Sequence, residues 1–194
     1  MIAVVVLAGG AGRRIGGDKP LQMLAGRSLL DHALTLAQCW SPLVGISVRE
    51  SASAVHCTGA PYLIDTVGGG PIAGIASALA FGRSKGSSFV LTIPCDTPFL
   101  PTDMPKRLTE ALSPPSTAVI AASGGRLHPS CGLWRVGADA ALPAYLATGR
   151  SSLNGFAKAL GAESVEWPVA RSDPFFNINS KTDLIEAEQI FKDR

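Results

Sequence analysis

Residues 2–19 place the tightest constraint on the fold. Ile2–Val6 is an unbroken apolar run, and it passes directly into Leu7-Ala8-Gly9-Gly10-Ala11-Gly12-Arg13-Arg14-Ile15-Gly16-Gly17-Asp18-Lys19. A short apolar run bounded by glycines is a buried strand, the kind found in parallel sheets covered by helices. Glycine lets backbone approach a ligand closely and present its N–H groups with no Cβ in the way. Arg13, Arg14 and Lys19 add positive charge suited to a polyphosphate. A helical pattern from about Ser28 to Gln38 brings a positive helix end to the same side of the sheet. Strand, loop and helix together form a nucleotide-phosphate site.

Spacing separates three glycine-rich patterns. The dinucleotide fingerprint G-x-G-x-x-G fails, because Ile15 stands where the third glycine belongs after Gly10 and Gly12. The P-loop fails more narrowly: Gly12 and Gly17 have the right gap, but Asp18 precedes Lys19 and Pro20 replaces the magnesium-binding hydroxyl. The third pattern, Leu-x-Gly-Gly-x-x-x-Arg-x-Gly-x-x-Lys, fits at every fixed position. It resembles the signature of nucleotidyltransferases, which join a nucleoside triphosphate to a phosphorylated acceptor and release pyrophosphate. The plainer alternative is a flexible, solvated basic turn.

With 194 residues, the chain has length for one domain. Apolar residues at 46% and charged ones at 16% predict a soluble protein with ample core. A net charge of +2 argues against a nucleic-acid-coating surface, so any basic site must be local. The longest apolar run is too short to cross a membrane, and no charged segment precedes it as in a signal peptide. Cys39, Cys57, Cys95 and Cys131 have no metal-ligand spacing, so free thiols in a reducing cytoplasm are expected.

Apolar runs at Ile2–Leu7, Leu43–Val48, Tyr62–Ile64, Phe89–Ile93 and Thr117–Ala122 alternate with helical stretches. The helices are expected at Ser28–Gln38, Ile72–Phe81, Met104–Leu112, Ala138–Thr148, Ser151–Leu160 and Lys181–Lys192. The last begins with a capping pattern, Ser180-x-x-Asp183, and puts Leu184, Ala187, Ile190 and Phe191 on one face. This alternation predicts a three-layer, Rossmann-like α/β fold with a mainly parallel sheet and helices on both faces. Pro114-Pro115 and Gly124-Gly125 mark turns within it.

Ligands of such sheets bind beyond the carboxyl ends of the strands. The glycine loop, Asp65 and Asp96 each follow an apolar run, so all three converge on one sheet edge. Asp96 is braced between Pro94 and Pro98. Magnesium is commonly held by one or two carboxylates plus substrate phosphates, and Asp96 is the candidate ligand. Alone, Asp96 reads better as a turn or cap residue; beside the glycine loop the metal role prevails. Asp65, ahead of Gly68-Gly69-Gly70-Pro71, either accepts hydrogen bonds from a base or ribose or simply ends its strand. The triple glycine and the helix starting near Pro71 suggest close backbone contact with a nucleoside. Arg14 and Lys19 would hold the triphosphate for in-line attack at the α-phosphate.

These segments together are similar to the molybdenum cofactor guanylyltransferase family, which attaches GMP to molybdopterin. The resemblance runs along nearly the whole chain. It rests on Leu7-Ala8-Gly9-Gly10 with Arg14 and Lys19, Asp65, Gly70-Pro71-x-x-Gly74, Pro94-Cys95-Asp96-Thr97-Pro98, His128-Pro129 and Phe176-Asn177-Ile178-Asn179. The related cytidylyltransferases of the cofactor generally carry Leu-Ala-Ala-Gly first, and Gly9 leaves room where an alanine methyl would crowd the larger base. The resemblance implies a single nucleotidyltransferase domain over 1–194, with the GTP side mainly in 1–100 and the molybdopterin side mainly in 101–194. It implies Mg²⁺ as cofactor and guanine recognition by backbone around Leu7, Ala8 and Gly9, with Gly10, Gly70 and Asp65 in the nucleotide site.

Asn177 and Asn179 would face the pterin, whose edges suit amide donors and acceptors; an asparagine-capped turn is the alternative. His128 resembles an acceptor-side residue or is a packed turn histidine. Arg150 could take the acceptor phosphate at a helix start or be solvated. The substrates implied are GTP and molybdenum-loaded molybdopterin, with transient contacts to cofactor-synthesis proteins and apo-molybdoenzymes, and neither nucleic acid nor membrane. Family members often carry an asparagine-rich stretch after the second strand; here Ile46-Ser47-Val48-Arg49 stands instead, and no nucleotide contact is expected from it. The rival readings are transfer of CMP to molybdopterin, nucleotidyl transfer to a sugar phosphate, and a nucleotide-binding regulator without catalysis.

Overall fold

The structure, a computed structural model, describes residues 1–9, 15, 17–49, 59–65, 67 and 69–193. Its centre is a seven-stranded sheet of β1 (Ile2–Leu7), β4 (Val44–Val48), β5 (Tyr62–Ile64), β6 (Phe89–Pro94), β7 (Ala118–Ser123), β8 (Arg126–Arg135) and β9 (Glu163–Trp167). The strands lie in the order β5-β4-β1-β6-β8-β7-β9. Pairing is parallel from β5 through β6 and between β7 and β9, while β8 runs antiparallel to both β6 and β7. A two-stranded hairpin, β2 (Met23–Leu24) with β3 (Arg27–Ser28), follows a short 3₁₀ turn at Lys19–Leu21.

Successive side chains of a strand point to opposite faces, and β1 serves both. Val4 and Val6 join the core beneath α1 (Leu29–Trp40) and α3 (Met104–Ala111). Ala3 and Val5 join the opposite core beneath α2 (Pro71–Ser84), α4 (Leu142–Ala147) and α5 (Leu153–Ala159). A smaller cluster at the sheet's carboxyl end packs Ala187 of α6 (Lys181–Lys192) with Ile15, Leu24, Leu29, Phe99 and Ile178. The three-layer, mainly parallel architecture is therefore as the alternating pattern predicts.

Local chemistry explains where the elements stop. Ser28 caps α1 by accepting from the Asp31 N–H, and the Asp31 side chain accepts from the Ser28 N–H in return. Ser180 and Asp183 make the same reciprocal box at α6. On α6, Ala187 is buried and Leu184 and Ile190 pack beside it, while Phe191 stays 41% exposed against His32. The stretch expected as one helix over 138–148 is instead a 3₁₀ segment, Val136–Ala141, followed by α4. Pro143, lacking an N–H, starts the new helix in the first turn, where no such donor is needed.

Strands β8 and β9 carry no sequence signal strong enough to predict them. Gly124 and Gly125, both with positive φ, form the tight β7–β8 turn. Pro129 and Gly132 then disguise β8, since neither favours a strand interior. The structure accommodates them with a bulge: Ile120 pairs with Gly132, but the next residue, Ala121, pairs with His128. Strand β9 is a short, charged edge, a composition that protects edges from unwanted pairing.

Helix α2 sits close on the sheet because Gly82 has no side chain. A Cβ there would stand 2.3 Å from Val90 Cγ2 on β6. Glycine to alanine in a helix interior ordinarily gains about 1 kcal/mol, but overpacking a core costs about 1–3 kcal/mol. Gly82→Ala should therefore lower the urea unfolding midpoint. An unchanged or raised midpoint would contradict this packing of α2 against β6.

Candidate active site

A cleft of about 200 Å³ opens beyond the carboxyl ends of β1, β4, β5 and β6. Leu7, Gly9, Ser47, Arg49, Asp65, Gly70, Gly74, Asp96, Ser130, Leu153 and Asn177 are among its lining. The bulge carries Ser130 of β8 to this wall, and the first residue of α5, Leu153, supplies an apolar patch. Two glycines allow its walls to close up. A Cβ on Gly9 would stand 3.3 Å from Asp65 Oδ2, and one on Gly74 only 2.9 Å from Ser47 Oγ. Gly70, at φ +70°, turns the chain into α2 with Pro71 in the first turn. Ala8 is buried, and its N–H donates to the Ser47 carbonyl at 2.8 Å, so that amide serves the sheet.

At one end of the cleft, β6 delivers Asp96. Its carbonyl accepts from the Ile178 N–H at 2.9 Å, and its Oδ1 lies 3.4 Å from the Thr97 hydroxyl. Lys19, 7% exposed, forms an ion pair with Asp96 Oδ2. The Lys19 ammonium also donates to Asn179 Oδ1 at 2.7 Å and to Asn177 Oδ1 at 3.4 Å. The residues expected on the triphosphate side and on the pterin side thus meet at one buried cation. Asn179 is fixed in turn, because its backbone N–H donates to Asp183 Oδ2 at 2.7 Å. That bond, chiefly, holds the Asp183 carboxyl below its usual range.

At the other end, Asp65 follows β5. Its N–H continues the sheet to the Val48 carbonyl at 2.9 Å, and its Oδ1 accepts hydroxyl donors from Ser47 at 2.8 Å and Ser77 at 3.0 Å. Sequence reasoning missed both serines and Arg49. A serine in the otherwise apolar β4 was the available signal for Ser47. Arg49 follows that strand's end directly, and Ser77 lies one helical turn beyond Gly74.

The remaining candidates stand apart from this cleft's lining. His128 lies on β8, with Nε2 2.7 Å from the buried Ser123 hydroxyl and its ring stacked on Phe175 at 4.7 Å. The Ser123 hydroxyl donates to Asp173 Oδ1 at 2.7 Å, so it accepts from a protonated His128 Nε2. Arg150 is exposed in the loop between α4 and α5. Gly10 and Arg14 lie outside the described residues. Burial pushes the Cys95 and Cys131 thiols far above their ordinary range, so both stay protonated and unsuited to nucleophilic attack.

Among the described residues, no three His, Cys, Asp or Glu side chains gather into a metal site. A lone strand-end carboxylate in a cleft is nonetheless the donor set that suits a magnesium ion sharing its coordination with substrate phosphates and water. Nor is any described helix long and apolar enough to cross a membrane.

The MobA-like NTP transferase domain model matches residues 4–164. A molybdenum cofactor guanylyltransferase of Acidiphilium cryptum is 39% identical over 96% of this chain and 94% of its own length. One from Rhizobium johnstonii is 40% identical over 97% of this chain and 92% of its own. Among solved structures, molybdopterin-guanine dinucleotide biosynthesis protein A from Archaeoglobus fulgidus superposes with a TM-score of 0.77 at 26% identity, covering 100% of both chains.

Burial lowers the His128 pKa below its ordinary value, aided by Arg126 and opposed by Asp173 and Glu166. The unfolded imidazole, titrating near 6.5, therefore binds a proton more readily than the folded one. This contribution to stability is complete above about pH 6.5 and is lost as pH falls from there towards the lower folded value. His128→Gln should flatten the fall of the urea midpoint between pH 7 and 5; an identical slope in both proteins would contradict the assignment.

Proposed function

As the chain belongs to the molybdenum cofactor guanylyltransferase family of MobA-like NTP transferases, we propose that it transfers GMP from GTP to the phosphate of molybdopterin. The products are molybdopterin guanine dinucleotide and pyrophosphate. The observation that supports this reading best is the buried Lys19, held between the strand-end carboxylate of Asp96 and the amide oxygens of Asn177 and Asn179. A lysine ammonium beside a strand-end carboxylate is the combination that a triphosphate and its metal ion would need at one point.

Lys19, with Arg14 from the glycine loop, binds the triphosphate and orients the α-phosphate for in-line attack. An oxygen of the molybdopterin phosphate bonds to the α-phosphorus as the bond to the β-phosphate oxygen breaks, and pyrophosphate leaves. Asp96 would hold Mg²⁺, which would supply positive charge to offset the negative charge growing on the α-phosphate and leaving group. Asp65 and the glycine-walled pocket around Gly9 and Gly70 take the nucleoside. Asn177 and Asn179, whose amide oxygens face Lys19, keep their NH₂ groups for the acceptor. Covalent catalysis by the protein is unnecessary, since the acceptor is the nucleophile. The acceptor is labile, so transient contacts with cofactor-synthesis proteins and apo-molybdoenzymes would accompany the reaction.

The direct test supplies purified protein with Mg²⁺, molybdenum-loaded molybdopterin and either GTP or CTP, and follows pyrophosphate and dinucleotide. Product from GTP in preference to CTP is expected; turnover with CTP alone would overturn the base assignment. Removing Mg²⁺ with a chelator should abolish product. Asp96→Asn and Lys19→Ala should each lower kcat/KM by roughly 100-fold or more, the scale for losing a preorganised charge contact. Near-normal turnover in either folded variant would refute its role.

A further inference from the structure

We propose that Arg49 is a specificity-determining residue that donates to the O6/N7 edge of the guanine base, opposite Asp65. The proposal rests on the cleft being the GTP site and assigns its base-reading end.

The two side chains converge on one point. Where a Gly9 Cβ would stand, Asp65 Oδ2 is 3.3 Å away and Arg49 Cγ 3.4 Å away. Both residues line the cleft. The near atom of Arg49 is its Cγ methylene, so its stem lies beside the carboxylate, and no Asp65–Arg49 ion pair forms. The Asp65 carboxylate is oriented instead by the Ser47 and Ser77 hydroxyls, which both bond to Oδ1. That leaves Oδ2 facing the Gly9 side as an acceptor. Arg49 is exposed, and among the described residues its guanidinium has neither a hydrogen-bond nor an ion-pair partner. One wall of the cleft therefore carries a carboxylate acceptor and, rooted beside it, an arginine long enough to bring a forked donor to the same ligand.

Position in the sheet decides which part of a nucleotide meets this pair. Lys19 and Asp96 sit at the end of β6, whereas Arg49 and Asp65 follow β4 and β5. Strand β1 lies between β6 and β4, and with neighbouring strands about 4.8 Å apart the end of β6 is roughly 10 Å from that of β4 and roughly 14 Å from that of β5. With phosphates at Lys19, the base falls towards β4 and β5. Guanine presents adjacent donors, N1–H and the N2 amino group, and beyond them two acceptors, O6 and N7. Asp65 Oδ2 suits the donors, and a guanidinium suits the acceptors bidentately. Adenine offers a donor where guanine has O6, and cytosine lacks an N7 altogether.

The test measures kcat/KM and equilibrium binding for GTP and 7-deaza-GTP, with wild type and Arg49→Met, which keeps the aliphatic stem over Gly9 but removes the donors. Wild type should lose about tenfold on 7-deaza-GTP, the scale of a specific base contact. Arg49→Met should lose about tenfold on GTP and little more on 7-deaza-GTP. Equal losses by the variant on both nucleotides would mean a general charge effect and overturn the proposal, as would an unchanged affinity for GTP. A wild type that fails to prefer GTP over CTP would instead overturn the reading of the site itself. The two failures are thus distinct.

Discussion

Lys19 is the contact through which the parts of this site depend on one another. A lysine with 7% of its surface exposed must have its charge and its three donors met by the protein. Asp96 supplies the counter-charge, and Asn177 and Asn179 supply amide oxygens. These partners come from segments about 80 and 160 residues away along the chain, so one ammonium group ties the end of the glycine loop to both. Removing the cation would strand a largely buried carboxylate as well as disturb phosphate binding.

The sheet makes that convergence possible. Parallel strands β1, β4, β5 and β6 end on one side and present their following residues there as a row. Antiparallel β8, inserted next to β6, brings Ser130 to the same cleft through its bulge. The carboxyl-terminal segment closes the site from above. The Ile178 N–H bonds to the Asp96 carbonyl, and the Ile178 side chain is buried against Ile15, Leu24 and Ala187. Asn177 and Asn179, on either side of it, are thereby aimed at Lys19. Packing of one isoleucine and capping of α6 by Asp183 fix the two amides together.

Much of this was legible in the sequence because it depends on local pattern. The apolar runs of β1, β4 and β6 and the Ser180-x-x-Asp183 box of α6 report their elements directly. Asp65 and Asp96 were legible as strand-end residues for the same reason. What escaped depends on contacts between distant segments. Strand β8 contains a proline and a glycine that only a bulge against β7 reconciles with pairing. Asn177 and Asn179 could be assigned to an amide-rich turn, but their bonds to Lys19 arise from tertiary packing across more than 150 residues. Arg49 read only as part of a departure from a familiar asparagine stretch, with no nucleotide contact expected, whereas its place at the end of β4 sets its stem against Gly9 and near Asp65.

The claim that Lys19 and the 177–179 segment act as one unit is tested most directly by a double-mutant cycle. The measurement is kcat/KM for GMP transfer in wild type, Lys19→Ala, Asn179→Ala and the double variant, each first shown to be folded. If Asn179 acts chiefly by holding Lys19, the double variant should be about as impaired as Lys19→Ala alone, with a coupling well outside the few tenths of a kcal/mol typical of independent sites. Fully additive losses would contradict the account, because they would mean that the amide and the cation serve the reaction separately.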